Sequence, residues 1–501
     1  MKRFFPVALA TALALATAHV PAATAAATQS SSTLNAQLND ELVTSYAHLV
    51  EDFYKKVDRQ AVLTGAHDSL VAYLKAQHVA NPTLPALHAT EDDTANVRAL
   101  EREVNLAVET YGTSLKPVES LSPPTQLTYA AISGVLGSVK DRYTVFLSPK
   151  EYAELNEGLD GTSFGGVGIS YSLDDKTKFL HVENVILDGP SDKAGLQPED
   201  LITAIDGKPV PQLLQGATVL EAQQKRITNA LRGDPGTRVT LAIQRNGKEI
   251  GPVTITRQTI HQPSVLSKML PNDVGYVQLA VFGQTTGHEL DTALKRLDSQ
   301  GARAYVLDLR YNGGGYLNAA VDVSSKFISS GPIVSVQSRA GTDTEYDAEN
   351  TAIPPRPLAV LVNQYTASAS EITAGAIQDS GVGTLIGTKT FGKGVVQSIW
   401  SLRDGSAVKI TTARYFTPKG HDINLVGIEP QIVSSLAKNQ KIRLGDPSQD
   451  PQLVSAMNFL NARIAEENGG TAAAAPAAPA AAASAAPAAT APAPAATPGQ
   501  R

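Results

Sequence analysis

The sequence predicts a multidomain α/β protein, and three observations predict it. Val274–Val281 (VGYVQLAV) and Ala304–Leu309 (AYVLDL) are short apolar runs, with a helical pattern over His288–Leu297 between them. Strand, helix and strand in that order imply a core with parallel strands. Ahead of this core, Val239, Leu241 and Ile243 alternate, Asn246-Gly247 supplies a hairpin turn, and Val253 and Ile255 alternate again, so a β-rich module precedes it. Further upstream, Leu34, Leu38, Leu42, Tyr46 and Leu49 recur at helical spacing and mark an N-terminal helical region.

The chain has 501 residues, enough for about two to four domains. Its formal net charge of −6 argues against nucleic acid as a general partner. The absence of cysteine removes disulfides, thiolate metal sites and a cysteine nucleophile. Lys2 and Arg3 precede an apolar stretch, Phe4 to Ala18, and small residues follow through Ala27. This is the pattern of a secretory signal peptide cleaved after Ala25 or Ala27, which places the mature chain outside the cytoplasm, most simply in a bacterial periplasm. The alternative is an uncleaved membrane anchor, for which the apolar run is short.

A helical segment is expected from Ser32 to about Val79, a second from Glu91 to Tyr111, and a third from Leu127 to Val139. Pro82 and Pro85 separate the first two. Such amphipathic helices pack on their own chain or meet a partner. A last helix is expected over Asp450–Glu467, and from Gly469 the chain is almost only Ala, Pro and Thr, the composition of a linker.

The chemistry concentrates in Asn363–Gln397, NQYTASASEITAGAIQDSGVGTLIGTKTFGKGVVQ. The apolar run Leu358–Val362 leads in as a buried strand, and Glu371–Asp379 continues as a helix. Ser368 therefore sits where a strand hands over to a helix, whose first amides lack internal partners and carry partial positive charge. A hydroxyl there can attack a carbonyl while the Ala369 amide stabilises the oxyanion. Lys393, between Gly392 and Gly394, can take the serine proton only if burial lowers its pKa from about 10.4 towards 7–8. Gln397, four residues on, would share its face on a strand and orient it.

Other readings of the same residues stay open at this level. Ser368-x-x-Glu371 is a capping box, which by itself starts helices, and a glycine-flanked lysine is ordinary in a solvated loop. Gly387-x-x-x-x-Gly392-Lys393 approaches a phosphate-binding loop but lacks the following Ser or Thr. Gly161-Thr162-Ser163-Phe164-Gly165 fits a nucleophile elbow only if a helix follows. His288-Glu289 has no second histidine at zinc-motif spacing.

TASASEI followed by TFGKGVVQ closely resembles the carboxyl-terminal processing peptidases, or tail-specific proteases, with 25 residues from Ser368 to Lys393. The resemblance implies Ser368 as nucleophile, Lys393 as general base and Gln397 as its support. RYNGGG, from Arg310 to Gly315, is similar to the family's oxyanion turn; it implies a second donor at Gly314, within one residue, beside Ala369. Phe164-Gly165-Gly166-Val167-Gly168-Ile169 and PSDKAGLQPEDLITAIDG resemble a PDZ domain, which implies that Phe164 to Ile169 receive a peptide C-terminus, with the peptide added beside the next strand. Arg232, in LRGDPGT, is either a surface arginine or a link from bound peptide to the active site. The Asp141-Arg142-Tyr143 loop and VKITTARYFTPKG also resemble the family. The resemblance covers roughly Leu127 to Pro430.

The expected organisation is a signal peptide (1–27), a helical region (28–160), a PDZ domain (161–260), a ClpP/crotonase-like α/β protease core (261–440), a helix (441–468) and an Ala/Pro-rich tail (469–501). The expected function is an exported serine endopeptidase with a Ser–Lys dyad, acting on polypeptides bound by their C-terminus, with no cofactor and no metal. A homodimer through the N-terminal helices and an activating partner are compatible with it. The rivals are a non-catalytic PDZ peptide-binding adaptor on the same fold and an acyl-coenzyme-A enzyme of the crotonase type.

Overall fold

The computed structural model describes residues 31–467, apart from 119–120, 160–162, 175–176, 186–188, 217–219, 262, 342, 438–441 and 443. The expected signal peptide and the Ala/Pro-rich tail lie outside the described residues. The chain forms two compact bodies: one holds Asp58–Val139 with the chain up to Ala47, the other Lys140 onward with His48–Val57. No helix among the described residues is long and apolar enough to cross a membrane.

The helix expected from Ser32 to Val79 is two helices, Ser31–Asp52 and Arg59–Ala76, of which the first body holds the second and the first as far as Ala47. Asp58 interrupts them as an N-cap, its carboxylate accepting from the Gln60 and Ala61 amides. Asp93–Tyr111 and Pro123–Gly137 complete the bundle. Leu63, Leu70, Leu100, Leu127 and Ile132 are fully buried in it. Arg59–Ala76 and Pro123–Gly137 cross at glycines: a Cβ on Gly65 would stand 2.5 Å from the Gly134 carbonyl oxygen. Alanine at either position would force the helices apart.

In the second body the core is a six-stranded sheet. In spatial order it runs Val265–Leu270, Val274–Leu279, Ala304–Asp308, Leu358–Val362, Thr384–Gly387 and Ile432–Val433. The first pair is antiparallel and the rest are parallel. Alternation along the strands gives the sheet two apolar faces. Val277, Leu279, Leu307, Val360 and Val362 meet the helices Thr286–Ser299, Leu317–Ser325 and Ala369–Ser380. Tyr276, Val306, Ala359, Leu361 and Ile386 meet Leu453, Ala456, Met457 and Leu460 of the C-terminal helix Pro451–Glu467.

A buried ion cluster ties that helix to the sheet. Arg310 and both its partners, Asp308 and Asp450, have fully buried side chains, with N–O distances of 2.6 Å to each carboxylate. Gln452 accepts from the same guanidinium at 2.9 Å, and the Tyr276 hydroxyl donates to Asp308 at 2.8 Å. A second, antiparallel sheet carries Val395–Ser401, Ala407–Phe416, Pro332–Ser338, Asp343–Asp347 and Val145–Leu147.

The module preceding the core has its own apolar cluster, including Val182, Ile202, Ile227, Leu241 and Ile255. Its strand Ile169–Leu173 is an edge of the sheet, and the Tyr171 hydroxyl lies 3.1 Å from Thr228 on the helix Leu220–Leu231. An edge strand beside a helix is a place for strand addition. Glu199 takes the left-handed conformation that glycine favours, with φ 74°.

Candidate active site

Two loops converge on one cavity of about 480 Å³. Its walls include Ser368, Ala369, Lys393, Gln397 and the Gly313–Gly315 turn. Leu155 and Leu159 close it from the helix Pro149–Leu159, and Lys409 and Tyr415 from the strand Ala407–Phe416.

The strand Leu358–Val362 delivers Ser368 as the N-cap of Ala369–Ser380, with φ 59° and ψ −120°. This backbone is strained for a residue with a Cβ, by about 1–3 kcal/mol, and it persists because neighbours over-determine it. Ala367 donates to the Asn312 carbonyl at 3.0 Å, as does the Ser370 hydroxyl, and the Ser368 amide donates to Glu371 at 3.0 Å. The Ala369 amide makes no hydrogen bond among the described residues and points from the helix start.

Glu371 is the joint of the site. Its buried carboxylate accepts from the Ser368 amide, the Thr390 hydroxyl (2.5 Å), the Gly392 amide (2.7 Å) and the Lys393 amide (2.8 Å). Burial pushes its pKa up, and those donors pull it back. Four donors and no acceptor describe a carboxylate that is ionised. Tyr415 makes a second tie: its hydroxyl lies 3.1 Å from the Ser368 carbonyl and also hydrogen-bonds the Lys393 carbonyl. Complete burial raises the Tyr415 pKa well above 10.0, so it stays a donor. Glu371→Ala should separate the two loops. It is expected to cost about 2–3 kcal/mol, water from the cavity replacing part of the lost acceptor. Urea unfolding, with faster hydrogen exchange at the Gly392 and Lys393 amides, checks this.

The Lys393 ammonium sits 4.8 Å from the centre of the Tyr143 ring. Its pKa is pushed down from 10.5 to about 8 by burial first and by the charge of Lys409 second, against the pull of Glu371. Arg142 lowers it further, and Asp141 opposes. Asp141 is itself held by the hydroxyls of Thr144 (2.7 Å) and Thr411 (2.5 Å).

Three expectations need correction. Lys393 does not share a strand face with Gln397: the strand begins at Val395, and the register shifts between Val396 and Gln397. The Gln397 amide nitrogen makes long contacts, 3.4 Å each, to the Val395 carbonyl and Thr411 hydroxyl, and none with Lys393. The Gly314 amide is already engaged, donating to Asn312 Oδ1 at 2.8 Å, because the asparagine side chain folds back two residues along its own turn. The flanking Gly313 and Gly315 amides make no hydrogen bond among the described residues. A Cβ on Gly314 would lie 2.8 Å from both the Ala369 nitrogen and Ser368 Cβ, so glycine is required for this approach.

The third correction concerns the expected carboxylate loop. Phe164, Gly165 and Gly166 are not open loop: they pair with Ile260, Thr259 and Gln258 in a two-stranded ribbon. Val167 and Gly168 alone lie between that ribbon and the strand starting at Ile169. Arg232 lies 3.6 Å from Glu157, on the helix that lines the cavity. Ser163 starts a strand, and coil followed by a strand succeeds Gly392-Lys393, so neither decoy motif has the helix it needs.

Comparison with known proteins identifies the family. Residues 273–434 match the family model of peptidase family S41, and residues 181–245 match a PDZ domain. A carboxyl-terminal-processing protease of Synechocystis is 37% identical over 343 residues, covering 68% of this chain and 78% of that protein. The carboxy-terminal processing protease CtpA of Bacillus subtilis is 34% identical over 343 residues, covering 68% and 71%. Among solved structures, a photosystem II D1 C-terminal processing protease aligns over 82% of this chain and 95% of that one, at 26% identity and a TM-score of 0.42. The chain thus belongs to the carboxyl-terminal-processing serine protease family, peptidase family S41, with a PDZ domain joined to its protease core.

Proposed function

We propose that this protein is an exported endopeptidase that cleaves polypeptides recognised by their C-terminus, using Ser368 as nucleophile and Lys393 as base. The observation that carries this reading is the convergence of Ser368, Ala369, Lys393 and the glycine turn on one cavity, with Lys393 held at a pKa of about 8. Neutral Lys393 accepts the Ser368 proton as Oγ bonds to the scissile carbonyl carbon. The oxyanion is held by the Ala369 amide and an amide of the Gly313–Gly315 turn. Gly314 fills that role only after its amide leaves Asn312 Oδ1. The C–N bond then breaks, and Lys393 returns the proton to the leaving amine. Water attacks the acyl-serine ester, its proton passes to Lys393, and Ser368 recovers its hydrogen as the new C-terminal carboxylic acid departs. Gln397 lines the same cavity as Lys393. Export is supported by the Lys2-Arg3 start and the apolar run after it. The test is intact-mass analysis of an unstructured polypeptide with an apolar C-terminus. Fragments are expected with the wild type and none with Ser368→Ala. Binding without cleavage by both would replace this reading with a peptide-binding adaptor.

A further inference from the structure

Beyond its share in lowering the Lys393 pKa, Lys409 has no role in the reading above, yet it stands in the same cavity. It lies on Ala407–Phe416, opposite Ile399 in the neighbouring strand, two positions along from the Gln397–Thr411 pair. It shares the cavity wall with Ser368, Lys393 and Gln397. Its side chain is half-buried, and among the described residues it has no hydrogen bond and no ion pair. The nearby carboxylate of Asp141 is taken by the Thr144 and Thr411 hydroxyls. By contrast, Lys326, another lysine drawn into the fold, is given Asp322 at 2.7 Å.

The lining of the cavity is unbalanced. Among the described residues, two lysines face it and no aspartate or glutamate does. Withdrawing an ammonium from water without a partner is costly, and burial accordingly lowers the Lys409 pKa. A cation placed this way is open to an anion that arrives from outside, and on the endopeptidase reading the molecule that enters beside Ser368 is a polypeptide.

We propose that Lys409 is a substrate-binding residue, its ammonium receiving a carboxylate of the bound polypeptide close to the scissile bond. The carboxylate is either an acidic side chain or the terminal group of a short leaving segment. The proposal rests on the endopeptidase reading of the site, and it makes cleavage selective for charge as well as for the distant C-terminus.

The experiment uses two series of peptides on one neutral background. In the first, C-terminally amidated, a single Glu or Gln is walked through the positions flanking the scissile bond. In the second, the chain ends shortly after that bond as a free acid or an amide. kcat/KM is measured with wild type, Lys409→Gln, Lys409→Arg and Lys409→Glu, each checked by thermal melting. For the wild type, about a tenfold preference for the carboxylate form is expected at one position, the scale of a charge-assisted hydrogen bond. The series in which it occurs identifies the source. The ratio is expected to fall to about one in Lys409→Gln, to persist in Lys409→Arg, and in Lys409→Glu to invert in favour of lysine-bearing peptides. No preference in the wild type, or one that survives Lys409→Gln, overturns the proposal. Anisotropy with labelled peptides on Ser368→Ala makes the same comparison without turnover. Should the wild type cleave nothing, the endopeptidase reading falls, and equal binding of acidic and neutral peptides removes this one independently.

Discussion

Lys393→Met is expected to lower kcat/KM by about 10⁴-fold or more while leaving the melting temperature unchanged or higher. On the proposed mechanism the two effects separate, because the lysine would serve the reaction and not the fold. Among the described residues its ammonium has no ion pair; what surrounds it is the Tyr143 ring, Lys409 and the glycine loop. A methionine of similar volume loses no bond there and removes a charge the site resists. The pH dependence carries the sign. In the proposed mechanism Lys393 acts when neutral, so kcat/KM should rise with pH to a plateau, with an inflection near a pKa of about 8. For stability, the folded pKa of about 8 lies below the ordinary 10.5. Between those values the unfolded chain holds the proton and the folded chain does not, so wild-type stability rises with pH across that window. The advantage of Lys393→Met is therefore largest below the folded pKa and disappears above the unfolded one. Stopped-time cleavage assays and melting curves from about pH 6 to 10 check both halves; equal activity of the variant would remove Lys393 from the mechanism.

Arg310→Ala should be the most damaging change to the fold, costing about 3–5 kcal/mol. It strands Asp308 and Asp450, both with fully buried side chains, and leaves Gln452 and the Tyr276 hydroxyl facing uncompensated charge. It also releases the helix Pro451–Glu467 from the face formed by Val306, Ala359 and Leu361. Chemical denaturation gives the number, and protease susceptibility near Asp450 locates the opening. An Arg310→Met, Asp308→Leu, Asp450→Leu triple variant should recover part of the loss, since packed apolar groups can replace a buried ion cluster. A loss below about 1 kcal/mol for Arg310→Ala would mean that water already enters the cluster.

The sequence was informative where chemistry is local. Leu358–Val362 is buried on both faces, and an uninterrupted apolar run says so. Small residues around Ser368 signal a strand-to-helix turn, and Asn246-Gly247 signals a hairpin whose two residues take φ 50° and 76°. What stayed hidden depends on chain returning from far away. Glu371 reads as an N-terminal cap, and it is one; that it also receives the Gly392 and Lys393 amides is fixed only by the fold of residues 381–392. Tyr415 and Lys409 sit on an alternating strand, where polar residues ordinarily face solvent. The bulge at Gln397 inserts a shift that period-two reasoning does not contain. Asp58 was a missed stop-and-start signal inside an otherwise continuous apolar stripe.

The latch between Arg310 and Asp450 spans 140 residues of chain, and that distance has a consequence for the order of events in synthesis. Chain that emerges N-terminus first, from a ribosome or across a membrane, presents Ser368 and Lys393 well before Leu453, Met457 and Leu460. Until then one whole face of the catalytic sheet is bare and Arg310 has only half its anions. On the endopeptidase reading, the emerging chain then carries its nucleophile and base without one side of the scaffold that aligns them, and competence is expected last, when little unfolded chain of its own remains to cut.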